Sequence, residues 1–417
     1  MHTQTTDDGT RRHCHESGRD APGEPTAPTS GHPGETNEVG SGPARGGDAG
    51  SGPPGGHGRE QGDGGGHPGR DYDRSPLIVT WEATQACSLA CDHCRADAVE
   101  ERAPDELDTA AVRDLIDGVA RFDPSPVFVV SGGDPLERPD LFDLLAYASD
   151  RVTTAVTPAP TPRLDREAVE QFADAGVDRM AISIDRATER AHDEFRGETG
   201  SFEAARRAAR HAHAAGIPIQ VNTTVTADTV AALPAVADLV GRLGAVAWEV
   251  FFLVPVGRGT DLDGLEPARA GEVAAWLHDR TRRAPFRLVP VEAPFYRRIA
   301  HERAEAPGYV GSVRAGKGFV FVSHRGKVYP SGFLPRSVGS VRETPLPELY
   351  REAPLMRALR DADRLTGPCG RCPYRQTCGG SRSRAYAVTG DPLASDPLCP
   401  FAAGEGETVP TAGRGNL

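Results

Sequence analysis

The sequence predicts an α/β fold, parallel strands and helices wound into a barrel or partial barrel, followed by a smaller cysteine-rich domain. Three observations carry that expectation. From Leu77 onward, short β-type runs alternate with longer runs of helical period, the pattern of βα units around a parallel sheet. A cysteine loop follows the first strand, and parallel α/β folds place their chemistry at the C-terminal ends of strands. Beyond about residue 310 the alternation stops and a second group of cysteines appears.

The strands read from the sequence are Leu77–Trp81, Val127–Ser131, Val152–Val156, Arg179–Ile184, Ile219–Val225 and Ala247–Leu253. Between and after them lie helical segments: Leu107–Arg121, Leu141–Ala148, Arg166–Ala175, Phe202–Ala215, Thr229–Arg242 and Gly271–Arg282. In the first of these, Val112, Leu115, Ile116 and Val119 recur at helical spacing. Several helices begin after Pro, Asp, Ser or Thr, as capping requires. Right-handed crossovers wind such units in one direction.

The 417 residues leave room for a large domain, expected over 74–305, and a smaller one over 306–402. Residues 1–73 contain no Leu, Ile, Phe or Trp. That segment has too little apolar surface to offset the entropy of ordering, so a disordered Gly- and Pro-rich tail is expected there, with a flexible end over 403–417. Six of the thirteen histidines lie in this tail, two of them flanking Cys14, either as loose metal ligands or, the expected case, as solvated tail residues. The tail resembles neither a signal peptide nor a transit peptide, and no later run is long and apolar enough to span a membrane. A soluble, cytoplasmic protein is expected. The formal charge is −12, and Lys317 and Lys327 are the only lysines, which argues against nucleic acid as a partner. Clustered cysteines in a cytoplasmic chain point to metal ligation rather than disulfides.

The first cluster is Cys87-Ser-Leu-Ala-Cys91-Asp-His-Cys94. Three thiolates at this spacing can hold three irons of a [4Fe–4S] cube and leave the fourth open. A zinc knuckle with a borrowed fourth ligand, or free buried thiols, are the alternatives. The second strand ends in Gly132-Gly133-Asp134-Pro135, where adjacent glycines permit a tight turn and close approach of backbone to a ligand. An ordinary turn accounts for the same residues. Ser183 and Asp185 end the fourth strand and Asn222 sits near the end of the fifth, either as ligand contacts or as caps of the following helices. Arg258, in a Gly-Arg-Gly turn after the sixth strand, places a fixed cation at the barrel mouth suited to a carboxylate, or is a solvated turn residue. Cys369, Cys372, Cys378 and Cys399 form the second group, enough to close a metal site as either a zinc ribbon or an iron–sulfur cluster.

The three-cysteine loop, the Gly-Gly-Asp-Pro segment and the second cysteine set together resemble the radical SAM enzymes, over nearly all of residues 75–402. The resemblance implies a partial (β/α)6 TIM-like barrel, with Cys87, Cys91 and Cys94 holding a [4Fe–4S] cluster whose open iron chelates S-adenosylmethionine. It implies reductive cleavage of that cofactor to a 5′-deoxyadenosyl radical, which abstracts hydrogen from the substrate, and an electron donor such as ferredoxin or flavodoxin. Gly132, Gly133, Asp134 and Pro135 match the segment that meets the methionine amino group, with Asp where Glu is usual. Ser183, Asp185 and Asn222 would lie near the cofactor, and Arg258 and Arg196 would suit carboxylates. The run from Cys369 to Cys399 is similar to the SPASM or shorter twitch extension, which carries auxiliary [4Fe–4S] clusters. Ser331 and Ser381 stand where some members have further cysteines, so one auxiliary cluster is expected, not two. The arrangement looks most like the porphyrin-modifying members of haem biosynthesis, which decarboxylate or remove propionates. Peptide maturation by crosslinking or epimerisation is the competing enzyme reading, and a non-catalytic iron–sulfur carrier the third.

Overall fold

The alternation read from the sequence is built as βα units. In the computed structural model, which describes residues 70–303 and 313–402, the barrel runs β1 (Ile78–Glu82), α1 (Thr109–Ala120), β2 (Val127–Ser131), α2 (Leu141–Ser149), β3 (Thr154–Val156), α3 (Arg166–Asp174), β4 (Arg179–Ser183), α4 (Glu189–Arg196), α5 (Ser201–Ala214), β5 (Ile219–Val225), α6 (Leu233–Arg242) and β6 (Ala247–Phe252). It continues through α7 (Pro267–Thr281), β7 (Arg287–Val291) and α8 (Tyr296–Glu302). Strands β1 to β7 lie side by side in chain order, each pair parallel, as right-handed βα crossovers dictate.

Local chemistry explains the elements. The α1 helix buries Val112, Leu115, Ile116 and Val119 against the sheet, the residues at helical spacing, and Asp108 caps its start by accepting from the Ala111 amide at 2.8 Å. Asp165 does the same for α3 through the Ala168 amide. Trp81 and Phe128 are fully buried on neighbouring strands and stack with centroids 6.3 Å apart.

Three barrel elements, β7, α4 and α8, depart from the expectation. The seventh strand, β7, was not expected; its Pro290 and its largely incomplete burial disguise an edge strand. Helix α4 is also additional, because its sequence ERAHDEFR carries few apolar residues. The remaining elements are β8 (Arg314–Ala315), β9 (Gly318–Val322), β10 (Lys327–Tyr329), β11 (Gly339–Ser340), α9 (Leu346–Glu352), α10 (Pro354–Arg360), α11 (Gly367–Arg371) and α12 (Arg382–Thr389).

The expected boundary between a barrel and a separate C-terminal layer is not how the sheet is built. Strand β9 pairs in parallel with β1, Ile78 opposite Phe319 through Trp81 opposite Val322, and β10 folds back antiparallel on β9. The hairpin therefore extends the barrel sheet past β1, and the strand order ends at β11 on one side and β7 on the other. Residues 70–73, assigned to the tail, are also part of the fold. Tyr72 is buried, its carbonyl accepts from the Tyr350 hydroxyl at 2.6 Å, and Arg70 donates to the carbonyls of Pro124 and Ser125. One aromatic residue with a buried backbone partner suffices to anchor the end of an otherwise polar segment. The rest of the expected tail, Cys14 included, and the expected C-terminal tail over 403–417 lie outside the described residues. Among the described residues no helix is long and apolar enough to cross a membrane.

Candidate metal centres

Cys87, Cys91 and Cys94 sit in a loop whose base is laced by backbone hydrogen bonds. The Cys87 amide donates to Val99 O at 2.8 Å, and the Val99 amide returns to Gln85 O at 3.1 Å. Three glycines from three other βα units press against this loop. A Cβ on Gly133 would lie 2.7 Å from the Ala86 carbonyl carbon, one on Gly197 would lie 3.1 Å from Ala90 O, and one on Gly257 would lie 2.5 Å from Cys94 O. Real Cβ atoms do not approach so closely at the first and third positions, so only glycine lets those backbones meet. Asp134 and Gly133 complete the grip, their amides donating to Ala86 O and Thr84 O.

The sequence-predicted residues divide into those on the pocket and those behind it. A pocket opens before the three thiols, walled by Gly132, Gly133, Ser183, Thr224, Phe251 and Phe333 among others. Asp134 lies behind that wall, fully buried. It accepts from the Thr161 hydroxyl at 2.8 Å and from the Leu136 amide at 3.2 Å. Pro135 opens the short 3-10 turn that follows. Asn222 shares the inner face of β5 with Thr224 but lies one pleat deeper, accepting from Gln220 Nε2 at 2.9 Å; Thr224 is the residue that reaches the pocket. Asp185 is buried and turned away, gripping Arg196 at 2.6 Å and the Thr224 amide at 2.7 Å. Arg196 itself lines the pocket and extends Nη1 to Cys91 Sγ at 3.7 Å.

Arg258 differs most from the expectation of an open cation. Its Nε donates to Cys91 O at 2.8 Å and its Nη1 to Ala98 O at 3.2 Å, so it staples the cysteine loop. Sequence reasoning missed His93, stacked on Phe195 with centroids 4.7 Å apart, and Arg95, which bridges to Glu82 at 3.1 Å and lies over the Phe321 ring. Both sit inside or beside the cysteine motif, the one signal that marked them. Phe251 and Phe333, from β6 and from the turn after β10, face each other with centroids 6.4 Å apart.

The second cysteine set lies on α11, on the segment between α11 and α12, and on the loop after α12. Cys369 and Cys372 share one turn, and Cys399 lies within electrostatic reach of Cys378 and Cys369. The Gly380 amide points at Cys378 Sγ at 3.4 Å, and Arg382 Nη2 stands 3.9 Å from Cys369 Sγ. Ser331 and Ser381 have turn and cap duties: the Phe333 amide donates to Ser331 Oγ, and the Arg384 amide donates to Ser381 Oγ. Arg384 ties this module to the pocket, donating to Phe252 O, Leu253 O and Glu292 O while pairing with Asp396. All seven described cysteines are free thiols.

The Radical SAM superfamily model matches residues 81–239. A Methanosarcina barkeri protein named AdoMet-dependent heme synthase is 38% identical over 343 residues, covering 79% of this chain and 98% of that protein. This chain belongs to the radical SAM superfamily. A second M. barkeri relative, named Fe-coproporphyrin III synthase, is 31% identical over 78% of this chain and 88% of its own length. Among solved structures, Streptococcus suis SuiB bound to S-adenosylmethionine has the same fold, with TM-score 0.63 and 16% identity, covering 78% of this chain and 77% of that one.

Radical SAM membership makes the chain an S-adenosylmethionine-dependent enzyme with a [4Fe–4S] cluster. The loop suits that group. Burial pushes the Cys87 thiol up to about 12 and raises Cys91, so metal binding must supply the free energy of deprotonation. Donors to the resulting sulfur charge are in place, the Leu89 amide on Cys87 Sγ at 3.4 Å and Arg196 on Cys91.

Asp134 gives the site a pH signature. Burial pushes its carboxyl up to about 6, above an unfolded value of about 3.9. The folded chain therefore holds a proton that the unfolded chain has released, and this contribution to stability is fully present below about pH 3.9 and is lost as pH rises through about 6. Asp134→Asn should flatten the dependence of the melting temperature on pH between about 4 and 6.5. An unaltered slope in the Asn variant would show that another group titrates there.

Proposed function

We propose that this protein removes carboxylate carbon from propionate side chains of a haem-precursor porphyrin. The observation that carries this reading is the 38% identity to AdoMet-dependent heme synthase across 98% of that relative. The pocket supports it: Phe251 and Phe333 flank the space before the cysteine loop and offer apolar ring surface to a macrocycle, and Arg95 and Arg196, paired with Glu82 and Asp185, border it.

When bound at the first cysteine loop, the cluster and S-adenosylmethionine supply a radical able to take an unactivated hydrogen atom. The protein's own contribution is placement. Arg258 and the three glycines hold the loop, Arg196 keeps positive charge against Cys91, and Ser183 and Thr224 offer polar groups on the pocket wall. A propionate that has lost a hydrogen atom closes to a vinyl group by losing carbon dioxide and one electron, so a one-electron acceptor is needed nearby. The second cysteine set is suited to that task as an auxiliary cluster of the SPASM or twitch type, because Arg384 docks it directly on the β6 end of the pocket. Four thiolates there leave no iron open.

Anaerobically reconstituted protein should contain about eight irons per chain if both sites hold four-iron cubes; about four would remove the auxiliary site from this reading. With S-adenosylmethionine and a reductant, iron-coproporphyrin III should strongly stimulate 5′-deoxyadenosine formation, with loss of carboxylate mass from the porphyrin. Equal, slow cleavage with and without porphyrin would overturn the substrate assignment and leave a peptide as the one to test.

A further inference from the structure

Three arginines gather around the second cysteine set, and their engagements differ. Arg382 is fully buried, with Nη1 donating to Pro392 O at 3.0 Å and to Ala394 O at 2.6 Å, and Nε to Gly380 O at 3.2 Å. Arg384 pairs with Asp396 and three backbone carbonyls. Arg314, on β8, is 6% exposed, yet none of its three guanidinium nitrogens has a hydrogen-bond partner among the described residues. Its guanidinium carbon lies where a Cβ on Gly379 would come within 2.9 Å, against the segment between Cys378 and Gly380. Cys378 and Cys369, once deprotonated, are the groups whose charge would attract it, while Arg297 and Arg382 repel it.

A buried guanidinium with no acceptor is strongly disfavoured, and of the three arginines only Arg314 is left without one among the described residues. We infer that Arg314 is the fixed counter-charge of the auxiliary iron–sulfur site and favours its reduced state. This inference rests on the auxiliary-cluster reading above. Reduction adds one electron, taken from the substrate radical in turnover or from a viologen in a titration, and no proton, so the site becomes more negative by one charge. A cation held against it in a medium of low effective dielectric stabilises the more negative form more than the other. The glycine at position 379 is what allows the guanidinium to come this close, with φ of +68° and no side chain in the way.

The test is an anaerobic redox titration followed by electron paramagnetic resonance on wild-type, Arg314→Leu and Arg314→Lys proteins, each with its iron content measured. The auxiliary signal is the one that S-adenosylmethionine leaves unchanged. Arg314→Leu, with full iron, should shift the equilibrium toward the oxidised form at least about tenfold, a midpoint lowered by about 59 mV for a one-electron couple, and Arg314→Lys should recover most of it. An unchanged midpoint in a fully loaded Leu variant would overturn the inference. If the Leu variant loses iron, Arg314→Gln, which retains donors without charge, decides by the same midpoint. Wild-type protein holding only about four irons, with no signal insensitive to S-adenosylmethionine, would instead refute the auxiliary site itself.

Discussion

Cys91→Ala is expected to abolish formation of 5′-deoxyadenosine while the protein stays folded. Cys91 is the middle thiol of the loop, and both of its flanks are held independently of its sulfur: Arg258 Nε grips its carbonyl at 2.8 Å, and the Gly197 and Gly257 backbones press on Ala90 and Cys94. Removing Sγ therefore takes away one ligand of the proposed cluster without releasing the loop. Mutating even the outer partner of a metal ligand costs about 10–100-fold, so loss of a ligand should exceed about 100-fold, and iron should fall by about four per chain. Cofactor cleavage is measured by chromatography of 5′-deoxyadenosine, and the fold by circular dichroism and melting temperature. Cleavage within a few-fold of wild type in a folded variant would mean that the radical chemistry does not depend on this loop. Cys87→Ala and Cys94→Ala should behave alike, since two thiolates cannot retain a three-iron hold.

Arg196→Met should be the most destabilising single change at the site. The guanidinium and Asp185 form a buried pair, with Arg196 Nε at 2.8 Å and Nη2 at 2.6 Å from Asp185 Oδ2. Burial opposes ionisation of Asp185, and Arg196 overcomes that opposition, holding the carboxyl down at about 2. In the native protein the pair thus contributes stability above the unfolded carboxyl value of about 3.9, and that stability is lost only as pH falls through about 2. Methionine keeps the stem and deletes the charge, leaving Asp185 buried with no cation, a change that costs about 3–5 kcal/mol. In the variant the carboxyl moves upward, so the sign reverses and stability should decline as pH rises toward neutrality. Urea unfolding at pH 5 and pH 8 reads both effects. Adding Asp185→Asn should restore part of the loss, a coupling that a double-mutant cycle measures. A cost below about 1 kcal/mol, with no rescue, would show that the pair is not the buried ion pair described.

Much of the barrel was legible because its signals are local. Val127–Ser131 and Ile219–Val225 are strands over the residues read from the sequence, since β-branched apolar runs bounded by polar turns leave few alternatives. Elements without that signature escaped. β7 carries a proline and α4 is mostly charged, and each is placed by its neighbours, β7 by β6 and α7, α4 by α5. The pairing of β9 with β1 joins residues some 240 positions apart, beyond the reach of any periodicity argument.

The cysteine sets belong to the first category. Ligand spacing is a covalent, local property, so the sequence by itself determined that two groups of thiols exist, that one has three members, and that glycines stand where backbones must meet. Which polar side chains face the pocket was decided only by the tertiary structure. Arg258 looked like a free cation and is a staple on Cys91 O and Ala98 O, Asp185 looked like a ligand contact and is the partner of Arg196, and Arg314 carried no signal at all. A charged side chain buried in a fold takes the acceptors that packing brings to it, and those come from other strands, whose positions no single stretch of sequence specifies.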